Sequence, residues 1–349
     1  MKTVVIGGGP AGLISAYFRA NRGEDVLLIE KNEKLGKKLY ITGKGRCNVT
    51  NDCDEEEFLS NVVSNPRFLN GAIRRFPPEK FMEFLEEKVR LKTERGNRVF
   101  PLSDKASDIT GCLESYARGA GAKIRLNEKV LSVNSRDGEI YSVTTDKEEI
   151  ACDNVIVCTG GISYPSTGSD GDGYRFAEKL GHTIIKPVPA LSGLNLKGDF
   201  YKNLQGVTLK NVALTVYNGE KKVYSDFGEV LFTHFGISGP TVISASSYIN
   251  RLDLSNVSVS IDLKPALSFE QLDLRVLRDF GNYKNKALKN SLDDLLLKSL
   301  IPEVIKLAKI NGDVKNNELK SEDRKKLVNT IKGMRMYPYS LRDISEAIV

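Results

Sequence analysis

The residues with the clearest chemical potential stand close to the N-terminus. Gly7-Gly8-Gly9-Pro10-Ala11-Gly12 is a G-x-G-x-x-G run, and an acid, Glu30, follows it. Each glycine has a separate mechanical task. Gly7 makes a tight turn, Gly9 lets a pyrophosphate approach the backbone, and Gly12 lets a helix pack on a strand. A helix that opens there offers unpaired N–H groups and the positive end of its dipole, which is the chemistry of a diphosphate site. Glu30 lies at about the twenty-residue spacing at which a carboxylate accepts hydrogen bonds from ribose hydroxyls, and its charge opposes a 2′-phosphate. A second glycine-bearing run, Thr159-Gly160-Gly161, could approach the same ligand from another strand end. The fingerprint by itself does not separate FAD from NAD. Its position near the start of the chain and the second glycine run both lean toward FAD.

These residues need particular elements to position them. Residues 3–6 are a short apolar run, and residues 11–21 carry Leu13, Ile14, Tyr17, Phe18 and Ala20 at helical spacing. Gly23 suits a helix C-terminus, and residues 25–30 (DVLLIE) form a second buried strand. Strand, glycine turn, helix and strand in that order meet the context the fingerprint requires. The competing reading is a glycine-rich turn in an unrelated α/β domain.

Further on, residues 55–88 read as helical, with Phe81, Phe84 and Leu85 on one face, and residues 104–120 as another helix. A strand at 123–126 precedes a meander over 129–134 and 139–145 with its turn at Asp137-Gly138. Residues 154–158 form a buried strand and 173–180 a helix. Lys186-Pro187-Val188-Pro189 is a stiff linker. Beyond it, residues 207–217 alternate with period two, Asn218-Gly219 supplies a hairpin turn, and 222–224 and 257–263 continue a small antiparallel β domain. Residues 268–332 are helical and lysine-rich, with Pro302 where a helix could begin. The expected domains are 1–188, 189–266 and 267–332, with 333–349 returning to the first or the second.

Composition narrows the function classes. The chain has 349 residues, 40% of them apolar and 28% charged, enough for two or three cores of roughly 100–200 residues each. No apolar run is long enough to span a membrane, and Thr3–Ile6 is too short for a signal peptide, so the expected address is cytoplasmic. Cys47, Cys53, Cys112, Cys152 and Cys158 make no C-x-x-C pair, and with His182 and His234 they assemble no zinc set. The net charge of +6 arises from lysines interleaved with acids, which describes solvated helix faces. No nucleic-acid partner is expected on that basis. Oligomeric state is not legible.

A longer signature then names a family. Leu35-Gly36-Lys37-Lys38-Leu39, followed by Thr42-Gly43-Lys44-Gly45-Arg46-Cys47-Asn48-Val49-Thr50-Asn51, resembles the signature of the BaiN-like, or aminoacetone-oxidase-like, bacterial FAD-dependent oxidoreductases. Arg98-Val99-Phe100-Pro101, the stretch from Thr159 through Tyr164-Pro165 to Gly173, and Leu231 to Pro240 match in the same order. The resemblance implies an α/β fold: a Rossmann-like FAD-binding domain with an inserted antiparallel β domain and a small helical domain. It implies that Gly7, Gly9, Ala11, Gly12, Glu30, Lys31, Arg46, Cys47, Asn48, Thr159, Gly160 and Gly161 surround FAD, with Val130 near the adenine. Arg46 would supply charge-assisted hydrogen bonds to phosphate or ring oxygens. Asn48 would both donate and accept at a flavin edge. Cys47 would be a redox partner only if Cys53 looped back to resolve it; otherwise it packs.

The implied activity is hydride transfer between flavin and a small-molecule substrate, an aminoketone or an unsaturated compound, with NAD(P)H or O2 in the second half-reaction. Tyr164 and His234 are the substrate-side groups to examine, each against a purely structural role. Family members continue past Val349 with a glycine-rich segment, and the apolar run Ile344-Ser345-Glu346-Ala347-Ile348-Val349 reads as an unfinished strand, as in a truncated chain. A non-catalytic flavin- or NAD-binding protein is the alternative of a different class, and a flavoenzyme acting on tRNA a third.

Overall fold

The computed structural model describes residues 1–348 and divides them at Lys186 and Pro187 into two units with separate cores. The first unit begins with β1 (Lys2–Ile6), α1 (Pro10–Ala20) and β2 (Asp25–Ile29). The two strands pair in parallel, Lys2 with Asp25 through Ile6 with Ile29. Alternate side chains enter different cores. Val5, Val26 and Leu28 join Leu13 and Ala16 of α1 on one face, while Val4, Ile6, Leu27 and Ile29 enter the other. Burial on both faces is what makes these strands continuous apolar runs.

The stretch read as helical over residues 55–88 is divided among α2 (Glu55–Ser60), α3 (Pro66–Arg75) and α4 (Pro78–Glu86), which follow the short β3 (Thr50–Asn51). Pro66 and Pro78 each open a helix. A proline fits the first turn, where no N–H bond is needed, and it bars helical geometry from the residue before it. Next come β4 (Leu91–Glu94) and β5 (Arg98–Pro101), which with β3 make a three-stranded sheet that no alternation in the sequence announces. The unit continues with α5 (Ala106–Gly119), β6 (Lys123–Arg125), the meander β7 (Val130–Arg136), β8 (Glu139–Thr145) and β9 (Glu149–Ala151), then β10 (Asn154–Val157) and α6 (Asp172–Lys179). The parallel sheet has the order β10-β1-β2-β6.

The second unit holds β11 (Leu194–Leu196), β12 (Thr208–Asn218), β13 (Lys221–Thr233), β14 (Gly236–Ser238), α7 (Pro240–Ile249) and β15 (Val257–Asp262). It continues with α8 (Phe269–Asn282), α9 (Ile301–Leu307), α10 (Ser321–Lys332), β16 (Met334–Met336) and β17 (Pro338–Leu341). Its strands form one antiparallel sheet, β16-β15-β12-β13-β14-β11-β17. The sheet and the helices share a single core from Leu194 to Met336. β13 runs far past the expected return at 222–224, through Ser225-Asp226-Phe227-Gly228-Glu229, whose exposed polar residues hide its period. The terminal run expected as a strand is instead a short turn, Ile344–Glu346, because the Asp343 carboxylate accepts from the Ser345 N–H and bends the chain. Val349 lies outside the described residues. Among those described, no helix is long and apolar enough to cross a membrane.

Leu28 is fully buried in a strand with neighbours on both sides. Leu28→Ala should therefore destabilise the chain by about 2–5 kcal/mol in urea unfolding. A loss under about 1 kcal/mol, the range of surface changes, would show that β2 is not a core strand.

Candidate functional site

At the end of β1 the chain turns through Gly7, with φ at 107°, into α1. A methyl group on Gly7 would overlap the Cys158 carbonyl oxygen, and one on Gly12 would overlap the carbonyl oxygen of Gly7. Strand, turn and helix are thus pressed together at backbone distance, and no side chain fits. Gly9 is the opposite case: a methyl there would meet nothing within 4 Å. Gly9 is the N-cap of α1, Pro10 occupies the first turn, and neither a capping side chain nor an acid satisfies the free N–H groups. The mouth of α1 is therefore bare, donor-rich and positive.

This mouth opens on a cavity of about 590 Å³ inside the first unit, a size at which small-molecule sites are found (about 300–1,000 Å³). The cavity lies at the carboxyl ends of the parallel strands, lined by Ile6, Ile29 and Val157 and by residues that follow them. Glu30 forms part of the wall and is 7% exposed. Its Oε2 accepts from the Gly8 N–H at 2.6 Å, and its Oε1 accepts from the Asn32 N–H at 2.8 Å and the Asn32 side-chain amide at 2.6 Å. Three donors hold this carboxylate beside the glycine turn.

Another wall is charged. The Lys31 ammonium lies 2.7 Å from Asp172 and 2.9 Å from Asp170, and Arg175 also bonds Asp172. Burial alone would lower the Lys31 ammonium, but hydrogen bonds to Asp172 and Asp170 outweigh it and hold it above its ordinary value. For Asp170, burial pushes upward, while the hydrogen bonds with Lys31 and Asp172 and the charges of Lys31 and Arg175 win and bring the carboxyl down to about 2. Lys38 donates to the Ser163 carbonyl at 2.7 Å, and burial lowers its ammonium.

Of the residues singled out from the sequence, Gly7, Gly9, Ala11, Glu30, Lys31, Val130, Thr159 and Gly160 line this one cavity. Gly12 lies beneath it, against Gly7. Gly161 does not line it; a methyl group there would meet the Tyr174 hydroxyl at 3.7 Å. Arg46 stands elsewhere, 2.8 Å from Glu94 and 3.4 Å from Asp104, with its guanidinium 4.2 Å over the Phe100 ring. Asn48, in the orientation its neighbours require, donates to the Thr50 and Val99 carbonyls at 3.2 Å. Cys47 is buried in the core beside α1 and α5, and burial pushes its thiol up; burial and nearby carboxylates do the same to Cys53. Both thiols are free. Tyr164 is a left-handed bend residue, φ 48°, whose carbonyl accepts from Thr167. His234 is exposed in the second unit, edge-on to Phe235. Asn32, Lys37, Lys38, Glu128, Lys129 and Asp172 also line the cavity; Lys37, Lys38 and Asp172 fall within the family signature, whereas Asn32, Glu128 and Lys129 carry no motif that marks them.

The profile described as HI0933-like protein Rossmann domain matches residues 1–330. The chain belongs to this family. It is the BaiN-like flavoprotein family, one of flavin-dependent oxidoreductases, and its fold is the Rossmann-like FAD-binding α/β type with added antiparallel sheets. Relatives include a 3-dehydro-bile acid delta(4,6)-reductase of Clostridium scindens, 29% identical over 337 residues that cover 94% of this chain and 80% of that protein. A ribosomal RNA dihydrouridine synthase of Escherichia coli is 30% identical over 340 residues, which cover 96% of this chain and 80% of the relative. The solved structure of THI4 from Thermovibrio ammonificans covers 71% of this chain and 79% of its own at 15% identity and a TM-score of 0.36, too slight a likeness to bear on function.

A bare, donor-rich helix mouth and a fixed carboxylate on one cavity wall are chemically suited to the ADP half of FAD. The charged wall has its own pH signature. Asp170 titrates at about 2 in the folded chain against an ordinary 3.8, so its contribution is complete above about pH 4 and lost as pH falls toward 2. Asp170 is 40% exposed, and screening keeps the effect small. In denaturation curves the wild type should be more stable than Asp170→Asn at pH 5, and the gap should close by about pH 2. A gap independent of pH would contradict the assignment.

Proposed function

We propose that the chain is an FAD-dependent reductase that passes a hydride from NAD(P)H by way of FAD to a carbon–carbon double bond conjugated to a carbonyl in a small organic substrate. The observation that carries the cofactor reading is the bare mouth of α1 facing a cavity that also holds Glu30. When bound, FAD supplies the hydride acceptor and donor, so the protein contributes placement and electrostatics. The N–H groups at the start of α1 would hold the diphosphate, and Glu30, held by Gly8 and Asn32, would accept from the ribose hydroxyls. Its negative charge favours a nucleotide without a 2′-phosphate at this site.

The relatives' names support the substrate class. One describes reduction of a ketone-bearing skeleton unsaturated at positions 4 and 6, and the other produces dihydrouridine, which is uridine with two hydrogens added across a double bond next to a carbonyl. One balanced reaction meets both names: hydride goes to one alkene carbon and a proton to the other, and in this chain NAD(P)H would supply the hydride and become NAD(P)+. Aminoketone oxidation with O2 would produce peroxide instead.

A second carrier of the same double bond, uridine within RNA, is favoured by a specific surface. The outer face of α3 presents Arg67, Arg74 and Arg75 with no ion pair among the described residues, beside Phe68, which is 81% exposed. Such an affinity would fall steeply with salt.

The purified protein with FAD should show bound-flavin absorbance, bleach anaerobically with NADH or NADPH, and regain colour with a dienone. Regain only with uridine-containing RNA moves the double bond to RNA, and regain only with O2, with peroxide formed, contradicts the reductase reading. Glu30→Gln should weaken FAD about tenfold or more, the scale of one hydrogen bond to a charged group. Unchanged FAD affinity would remove Glu30 from the site.

A further inference from the structure

We infer that α3 is a docking surface for single-stranded RNA, with Phe68 stacked on an unpaired base and Arg67, Arg74 and Arg75 on the phosphates around it. This extends the RNA reading of that helix by assigning how the RNA is held. It does not depend on what the cavity binds, because no α3 residue lines the cavity.

Along most of the chain lysines alternate with acids, and α3 is where that pattern breaks. Residues 58–78 contain no acid and three arginines. Arg67, Gly71, Arg74 and Arg75 stand at i, i+4, i+7 and i+8, which places them on one face of the helix, and all four are exposed. The three guanidinium groups have no ion pair or hydrogen bond among the described residues, not even with Glu55, Glu56 and Glu57 of the adjoining α2. Arg67 and Arg74 are about 10 Å apart along the helix axis, so they reach separate phosphates. Between them the surface is low. Gly71 and Ala72 are exposed, and a methyl group on Gly71 would meet nothing within 4 Å, so a strand can approach closely.

Phe68 stands at the edge of this face, 81% exposed. Every base of a single strand offers a π-face to such a ring, whereas in a duplex those faces are stacked on one another. A bilayer suits the same charges less well. A helix lying in a lipid interface turns its large apolar side chains outward. Here Leu69, Ile73 and Phe76 are half-buried, with the Phe76 ring 5.8 Å from Phe18 and 6.0 Å from Phe81, and Phe68 alone of the helix remains to insert.

The test uses the full chain with FAD added and a short fluorescent oligouridylate, alone and paired with oligoadenylate, in anisotropy titrations over a range of salt. The wild type should prefer the single strand, with a slope of about −2 in log affinity against log salt for three neutralised phosphates. Phe68→Ala should weaken the single strand roughly 5- to 150-fold, the range for one stacked base, while the slope and the duplex affinity stay as they were. Arg67→Gln, Arg74→Gln and Arg75→Gln together should flatten the slope toward zero. All four side chains are exposed, so the variants should keep the wild-type circular dichroism. A wild type that ignores the oligouridylate, or prefers the duplex, would overturn the inference without any variant. Equal weakening of strand and duplex by Phe68→Ala would remove the stacking role, and a triple variant with wild-type affinity would place the RNA elsewhere; either result overturns it. Binding to phosphatidylglycerol vesicles but not to the oligouridylate would give the surface to lipid instead. Flavin colour is not read in these titrations, so losing RNA as the carrier of the double bond would leave the docking result standing.

Discussion

The backbone contact at Gly7 and Gly12 is the constraint on which the rest of the site depends. Strand, turn and helix meet there so closely that a single methyl group at either position would collide with a carbonyl oxygen. That closeness aims the N-terminus of α1 at the strand ends, with Gly9 bare in front of it. An anion there gains several N–H donors and a dipole end at once, without any side chain having to be ordered. The positive character at the mouth of α1 is in this sense built from backbone, while the lysines stand on the other walls of the cavity.

The carboxylates gain meaning from that arrangement. Glu30 cannot swing freely, because the Gly8 and Asn32 donors tie both its oxygens. Asn32 also reaches the Thr167 carbonyl at 3.3 Å, which couples the wall after β2 to the loop before α6. Lys31 then joins the same loop through Asp170 and Asp172. A ribose and base laid along the strand ends would thus meet groups that are already oriented, which reduces the ordering that binding requires.

How much of this was legible in the sequence depended on how local each feature is. The glycine turn, α1 and Glu30 were legible because the fingerprint, the helical period and the acid fall within thirty residues of the start. Asn32 and Glu128 were not, since a single Asn or Glu carries no signal until the fold shows what it faces. Arg46 illustrates the same limit from the other side. Its motif suggested an anion partner, and the structure supplies Glu94 and Asp104, which are 48 and 58 residues away in sequence. The β3-β5-β4 sheet escaped notice because its strands are only 2 to 4 residues long. α7 was hidden inside the Leu231-to-Pro240 family motif and the residues just after it, where the sequence drew attention to His234 and not to the helix that Pro240 opens.

The most direct test of the central claim is to follow backbone amide resonances of isotopically labelled protein while ADP is added. The largest shifts should fall on the N–H groups of Gly9, Ala11 and Gly12, at the mouth of α1. If ADP binds while those amides stay still and the shifts cluster elsewhere, the diphosphate is held by other means and the account fails.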